Sequence, residues 1–367
     1  MRLLRSIVKN EPYNEHVFAP RANDALRMGL IGKNAIGVTN RSLTRHRRVQ
    51  MESAYIGRTV RLQNPDLVVF HTPTQDEAMA RIAVGALHGT RQRMMTYRYD
   101  ARPVQRGALR RIVLSRISMW VVPTAPAGRV LEAAGIDRER IRVLRPPVRR
   151  PRTIERDKAR RRLNIPTGKP VVTVSSPSPD EAELLVPTLE LMQDYEQGYT
   201  LVVSDANETV LTTVAPLVAA SQGQAVLVQT NEPELTSLQP TLPAPVALDR
   251  GELLASASDA ALVLDWDQSV PQTAIEIAMG GREILTVRTE ESEEATGGTA
   301  TFIQADTPAQ VASSLTSYAP DPAKGQGAAV FVRQEYDEDS RTKEHRQVHL
   351  DTLPIRARQR GDAVPAA

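Results

Sequence analysis

The sequence predicts an α/β protein built from two doubly wound, Rossmann-like domains facing each other across a cleft. Three observations lead there. Short apolar runs alternate with amphipathic helical stretches along nearly the whole chain. Most of these runs are apolar throughout, as expected of parallel strands buried on both faces. The alternation halts once, at a basic stretch punctuated by prolines, and then restarts.

In order, Met1–Val8 reads as a first strand, Val17–Leu30 as a helix and Ala35–Asn40 as a short strand. A helix over Val49–Gln63 stops before Asn64-Pro65, because the residue preceding a proline avoids the helical region. Asp66–His71 (DLVVFH) is a buried strand and Asp76–Leu87 a helix. Arg93–Tyr99 is a strand, Val104–Arg116 a helix and Met119–Pro123 a strand. The helix Ala127–Ala134 stops at Gly135, a C-terminal cap signal, and Ile141–Leu144 closes this half.

Pro146, Pro147 and Pro151 then mark a basic linker. Beyond it come the strands Val171–Ser175, Tyr199–Ser204, Ala225–Gln229, Val246–Leu248, Ala260–Trp266 and Glu283–Val287. The helices Asp180–Tyr195, Glu208–Ser221, Gly251–Ser256, Gln272–Met279 and Thr307–Tyr318 are interleaved with them. The expected division is 1–150 for the first domain, 151–335 for the second, and 336–367 for a closing helix and mobile tail. Ligands of such sheets bind beyond the carboxyl ends of the strands, so the expected site is the cleft.

A chain of 367 residues accommodates two domains of ordinary size, and 41% hydrophobic content fits a globular protein. The absence of cysteine excludes disulfides, thiolate zinc sites and a cysteine nucleophile. The first residues lack the apolar core of a signal peptide, and no run approaches bilayer length. The expectation is a cytoplasmic protein, with the inner face of the membrane as a place of peripheral contact.

The net charge of +3 hides a division. Residues 1–163 carry about +21 and the remainder about −18. A basic half suits a phosphate-bearing or membrane-surface partner; mutual attraction of the two domains explains it equally well. No stacking-aromatic motif or recognition helix supports nucleic acid as that partner.

No dinucleotide fingerprint, Walker loop or nucleophile elbow is present. His345 and His349 stand four apart, so they share a helix face, but no further ligand accompanies them. A solvated face is the expectation there. The informative segment is Asp265–Gly281, DWDQSVPQTAIEIAMGG. A strand ends, a short loop follows and a helix begins. Ser269-x-x-Gln272 has the form of a capping box with Pro271 in the first turn. Free N–H groups at such a helix start bind phosphate without any special side chain. Glu276, farther along this helix, either accepts hydrogen bonds from ribose hydroxyls or caps a partly exposed face.

Ser258–Val287 resembles the donor-nucleotide region of the retaining family-4 glycosyltransferases, enzymes of the GT-B fold. The stretches NPDLVVFHTP, AAGIDRERIRVLRPPVRR, RRLNIPTGKPVVTVSS, YTLVVSDAN and FVRQEYDEDSRTKEHRQVHLDTL are similar to other family segments, in the same order. The resemblance spans about nine tenths of the chain, and it is the order rather than any one motif that carries it. It places Glu276 at the second, ribose-binding glutamate of the family's E-x7-E pair, and Gln268 where the first glutamate stands near the donor sugar. It implies sugar transfer with retention from a nucleotide-activated donor, with the nucleotide sugar as substrate and no cofactor or metal.

Departures accompany the likeness. The family's Gly-Arg and following lysine, which grip the donor diphosphate, correspond here to Ser175-Ser176-Pro177-Ser178-Pro179-Asp180, which has neither cation. The N-terminal Gly-rich loop is replaced by Lys9-Asn10-Glu11-Pro12-Tyr13-Asn14, and a catalytic His-Asp pair by Tyr99-Asp100. On this reading Ser269, Val270, Pro271, Glu276, Ser175, Ser176 and Arg250 hold the nucleotide. Gln268, Tyr99, Asp100 and His71 face the reacting sugar and acceptor. The acceptor is expected to be a carbohydrate, a lipid-linked molecule or another anion. The alternative is a catalytically inactive GT-B relative serving as a binding or scaffold subunit, a reading favoured by the missing cations and by Gln268.

Overall fold

A computed structural model describes residues 18–19, 36–37, 67–72, 93–98, 117–175, 177, 179–193, 198–204, 206, 208–221, 224–228, 250–266 and 271–353. The chain divides into two compact units. One comprises the described residues up to Pro147 and the C-terminal helix that starts at Glu338; the other covers Val148–Trp266 and Pro271–Asp337.

In the first unit, strands β1 (Phe18–Ala19) and β2 (Ile36–Gly37) pair in parallel. Phe18 and Ala19 therefore do not belong to the expected helix over Val17–Leu30; strand pairing with Ile36 and Gly37 replaces it there. A second, fully parallel sheet runs β3 (Leu67–Thr72), β4 (Arg93–Arg98), β5 (Ile117–Val122) and β6 (Ile141–Val143), in that order. Helix α1 (Ala125–Ala133) follows β5; the Thr124 side chain caps it, and Pro126 stands in its first turn.

The far end of the chain completes this unit. Met95 and Tyr97 of β4, Val121 of β5 and Val348 of the last helix form one buried cluster. His345 and His349 of that helix are buried there too, which corrects the expectation of a solvated face. Tyr97 is the reason. Its hydroxyl lies 2.8 Å from His349 Nε2 and 3.0 Å from His345 Nδ1. His345 Nε2 lies 2.9 Å from the Arg145 carbonyl. A carbonyl only accepts, so His345 Nε2 carries a proton and, in the neutral ring, Nδ1 accepts from Tyr97. The Tyr97 oxygen then accepts from His349. Burial pushes the His345 imidazole down to about 4, with the charges of His349 and Arg341 adding to the effect against the Arg145 carbonyl.

The second unit opens where a linker was expected. Arg156–Arg162 forms helix α2, with Glu155 accepting from the N–H groups of Asp157 and Lys158. Its apolar stripe is short, Ala159 and Leu163, and a buried arginine extends it. Arg160 donates to the carbonyls of Ala257 and Lys169, each at 3.0 Å, and pairs with Asp259. Arg156 meets the other oxygen of Asp259 at 2.8 Å, and the N–H of Val171 donates to that carboxylate at 2.7 Å. Arg152 grips Glu252 with two guanidinium nitrogens, at 2.9 and 2.7 Å. The basic stretch thus spends part of its charge on acids about a hundred residues away, within the same unit.

Six strands, β7 (Val171–Ser175), β8 (Thr200–Ser204), β9 (Ala225–Val228), β10 (Ala260–Val263), β11 (Glu283–Val287) and β12 (Thr301–Ile303), form one parallel sheet. Its order, β12-β11-β10-β7-β8-β9, is the Rossmann sequence 3-2-1-4-5-6 read from one edge. Helices α3 (Pro179–Gln193), α4 (Glu208–Ala220), α5 (Arg250–Ala257), α6 (Gln272–Met279), α7 (Glu290–Thr296), α8 (Pro308–Thr316) and α9 (Pro322–Glu335) belong to this unit; α10 (Glu338–Thr352) is the helix of the first.

Both sheet faces are covered. Residues of α3, α4 and α8, among them Leu185, Val214 and Val311, bury one face with Val172, Val174, Leu201 and Val203. Leu253, Leu254 and Ala257 of α5 cover Val171 and Val202 on the other, and Ile275 and Ala278 of α6 cover Ala261 and Val263. Each large side chain buried this way contributes about 1.5–3 kcal/mol. Gly325 of α9 lies against the end of α6, where a Cβ would sit 2.4 Å from the Gly281 carbonyl oxygen.

Candidate functional site

In the second unit the strand order reverses between β7 and β10, and ligands of open parallel sheets bind at the carboxyl ends of such a pair. β7 ends at Ser175, which is half-buried, while the four residues before it are buried. β10 ends at Val263, three residues short of the strand end expected from sequence.

The chain after β10 is held from two sides. Glu181, in the first turn of α3 and buried, accepts the backbone N–H groups of Leu264 and Asp265 through Oε1, both at 3.1 Å. Trp266 Nε1 donates to Thr286 Oγ1 at 2.7 Å, and that hydroxyl donates to the Val263 carbonyl at 2.7 Å. One contact comes from the helix after β7 and the other from β11, so the chain leaving β10 is held through Trp266.

Helix α6 begins at Gln272 with Pro271 as its N-cap, and among the described residues no side chain caps it. This corrects the expected capping box: Ser269 is not the N-cap residue, because the helix starts two residues later than that pattern requires. An N-terminus without a side-chain cap leaves first-turn N–H groups for another acceptor. At the opposite end Arg333 donates Nε and a terminal nitrogen to the Met279 carbonyl, at 2.8 and 2.5 Å. A cation at the C-terminus complements the helix dipole. Desolvation holds that guanidinium below its ordinary pKa, with Arg150 acting in the same direction.

Glu276 lies on the second turn of α6 at 5% exposure, among Ala274, Ile275, Ile277, Ala278 and Met279, all buried. Pro271 is half-buried. Arg250 is the first residue of α5. In the first unit, His71 stands on β3 in register with Tyr97 of β4. Gln268, Ser269, Val270, Ser176, Tyr99 and Asp100 lie outside the described residues. Of the expected nucleotide residues, then, the structure brings Ser175, Pro271 and Glu276 to one region of one unit.

Sequence reasoning missed two residues. One is Glu181, whose backbone partners are 83 and 84 positions away. The other is Ser204, which is fully buried at the end of β8 and whose hydroxyl has no hydrogen-bond partner among the described residues. Ser204 is the register partner of Ser175, so both side chains leave the same face of the sheet. That face is the one α5 and α6 cover, since Val171, Thr173 and Ser175 alternate with Val172 and Val174. A hydroxyl at the carboxyl end of a strand can hydrogen-bond a phosphate oxygen bound there. Among the described residues no three His, Asp or Glu gather to hold a metal ion, and no helix is long and apolar enough to cross a membrane.

Known structures share this architecture. Anabaena HepE, solved with UDP and glucose, superposes with a TM-score of 0.66 at 13% identity, covering 96% of this chain and 95% of that one. The fold is GT-B. A glycosyltransferase from Rickettsia africae gives a TM-score of 0.65 at 11% identity, over 96% and 95% of the two chains. The UDP-GlcNAc 2-epimerase of Neisseria meningitidis, bound to UDP-GlcNAc, gives 0.60 at 14%, over 89% and 87%. No family model and no curated protein matches the sequence.

Proposed function

We propose that this protein is a glycosyltransferase that takes a sugar from a nucleotide-activated donor and passes it, with retention, to an acceptor bound by the basic first unit. The observation that carries the reading is the start of α6: among the described residues no side chain caps this helix N-terminus, and it follows the strand next to the one that ends at the half-buried Ser175, at the switch point of a Rossmann-ordered sheet. The first-turn N–H groups and the Ser175 hydroxyl meet the donor phosphates, and Glu276 reads the ribose. Electrostatic stabilisation of the departing nucleotide by a preorganised helix start is the catalytic contribution this geometry can make. Likeness to HepE, solved with UDP and glucose, and to the Rickettsia glycosyltransferase supports a nucleotide sugar as the partner.

A second reading has its own support. Structures of UDP-GlcNAc 2-epimerases share the fold at comparable scores, and an epimerase needs no acceptor. The decisive experiment follows a panel of UDP-sugars with the purified protein, with and without candidate acceptors. Transfer, or acceptor-stimulated release of UDP, is the expected result. Inversion at the sugar C2 without acceptor selects the epimerase, and binding without any turnover selects the scaffold subunit.

A further inference from the structure

We propose that the second unit carries a docking surface for an anionic lipid bilayer, formed by cations at the pole of its sheet opposite the strand carboxyl ends. The proposal stands apart from the donor-site reading. It starts from the basic stretch between residues 149 and 162, RRPRTIERDKARRR, with seven arginines and one lysine against two acids. The chain after residue 163 carries about −18, so this stretch is an exception within its own unit.

The structure sorts these cations into two sets. Arg152 is taken up by Glu252, and Arg156 and Arg160 by Asp259. Arg149, Arg150, Lys158 and Arg162 are exposed, and among the described residues their side chains make no hydrogen bond or ion pair. Arg161 reaches Glu155 only at 3.8 Å, with the two side chains 67% and 62% exposed, a pair that contributes little. Lys158, Arg161 and Arg162 stand three and four positions apart, so they share the outer face of α2. Its inner face buries Ala159 with Leu253, Leu254 and Ala257 of α5.

These side chains gather at one pole. Asp259 and Val171, which the arginines of α2 tie together, mark the amino ends of β10 and β7. Upstream the chain runs along α5, where the Ile154 N–H donates to Ser256 Oγ at 3.2 Å. At its start the Val148 N–H donates to the Tyr336 carbonyl at 2.9 Å, which brings Arg149 and Arg150 to the end of α9. Arg333, about one turn earlier on α9, holds the Met279 carbonyl at the end of α6, just before β11 begins. The charge of Arg150 bears on Arg333, and an anion set against both relieves that repulsion. Val330, one turn before Arg333, is 66% exposed and adds an apolar tip.

A bilayer suits these features better than a nucleic acid. Guanidinium groups grip phosphate through two parallel hydrogen bonds. The stretch has no Phe, Tyr or Trp to stack on bases. An aliphatic tip beside cations enters a headgroup layer, while a phosphodiester backbone offers it nothing apolar. The acidic remainder of the chain is repelled by the same lipid surface, which favours one orientation.

Cosedimentation of the intact protein with vesicles of phosphatidylcholine, alone or mixed with phosphatidylglycerol, tests the proposal. Binding should require phosphatidylglycerol and weaken as salt rises. Replacing Lys158, Arg161 and Arg162 together by Gln should lower the affinity about a hundredfold. The double replacement Arg149→Gln and Arg150→Gln, on exposed side chains of a separate segment, should lower it by about tenfold or more. Absence of vesicle binding overturns the proposal, as does binding that both variants retain in full. Tighter binding to duplex DNA than to the anionic vesicles at the same salt overturns the choice of lipid as partner.

Discussion

Glu181 accepts the backbone N–H of Asp265 at 3.1 Å, so a carboxylate on the helix after β7 fixes the chain leaving β10. The two strands of the switch point are thereby tied together through one side chain. Glu181→Ala would strand the N–H groups of Leu264 and Asp265, at a cost of about 1–3 kcal/mol for an unsatisfied buried group. Urea unfolding should show that loss, and nucleotide affinity should fall with it. Glu181→Gln keeps an acceptor and should recover most of the stability.

Asp259 gathers Arg156, Arg160 and the Val171 N–H. Removing one member of such a buried pair leaves uncompensated charge and costs about 3–5 kcal/mol. Asp259→Ala should lower the unfolding midpoint accordingly. Because Arg160 is itself buried, Arg160→Met in the Asp259→Ala background should restore part of the loss, a coupling that a double-mutant cycle measures.

The His345 imidazole, held near 4 by burial, titrates near 6.5 once unfolded. Its contribution to stability is complete above pH 6.5. It is lost as pH falls from there to about 4, because the unfolded chain takes up a proton that the folded one refuses. The whole effect is worth about 3 kcal/mol. Urea midpoints measured between pH 7 and pH 4 should decline, and His345→Gln should flatten that part of the profile.

Glu276→Gln preserves the shape of a nearly fully buried side chain and removes its charge. If the carboxylate accepts ribose hydroxyls, nucleotide affinity should fall by about tenfold, as expected for weakening hydrogen bonds to a charged group. The 2′-deoxy nucleotide should bind wild type and variant almost equally.

Much of this fold is written in local pattern. The runs VVTVS, TLVVS and EILTV are mostly apolar, without strict alternation, because both faces are covered, and they read as parallel strands before any topology is known. Helix α2 escaped that reading because its inward face includes Arg160, whose burial makes sense only once Asp259, 99 positions away, is beside it. His345 and His349 misled for the same reason: Tyr97, some 250 positions away, converts a polar helix face into a buried one. Helix α7 is rich in glutamate with no apolar stripe, and its capping box at Thr289 and Ser292 and its left-handed Gly297 set its limits. At the site, Ser175 and Glu276 were legible as residue types in a loop-and-helix pattern. Glu181 and Ser204 were not, because only sheet order brings them to the ends of β7 and β10.

Amide hydrogen exchange measured with and without saturating UDP-glucose tests the central claim most directly. A nucleotide seated at the second unit's switch point should slow exchange in the first turn of α6, Gln272 to Ala274, and at Leu264 and Asp265. Protection confined to other segments, or no change at saturation, would contradict it.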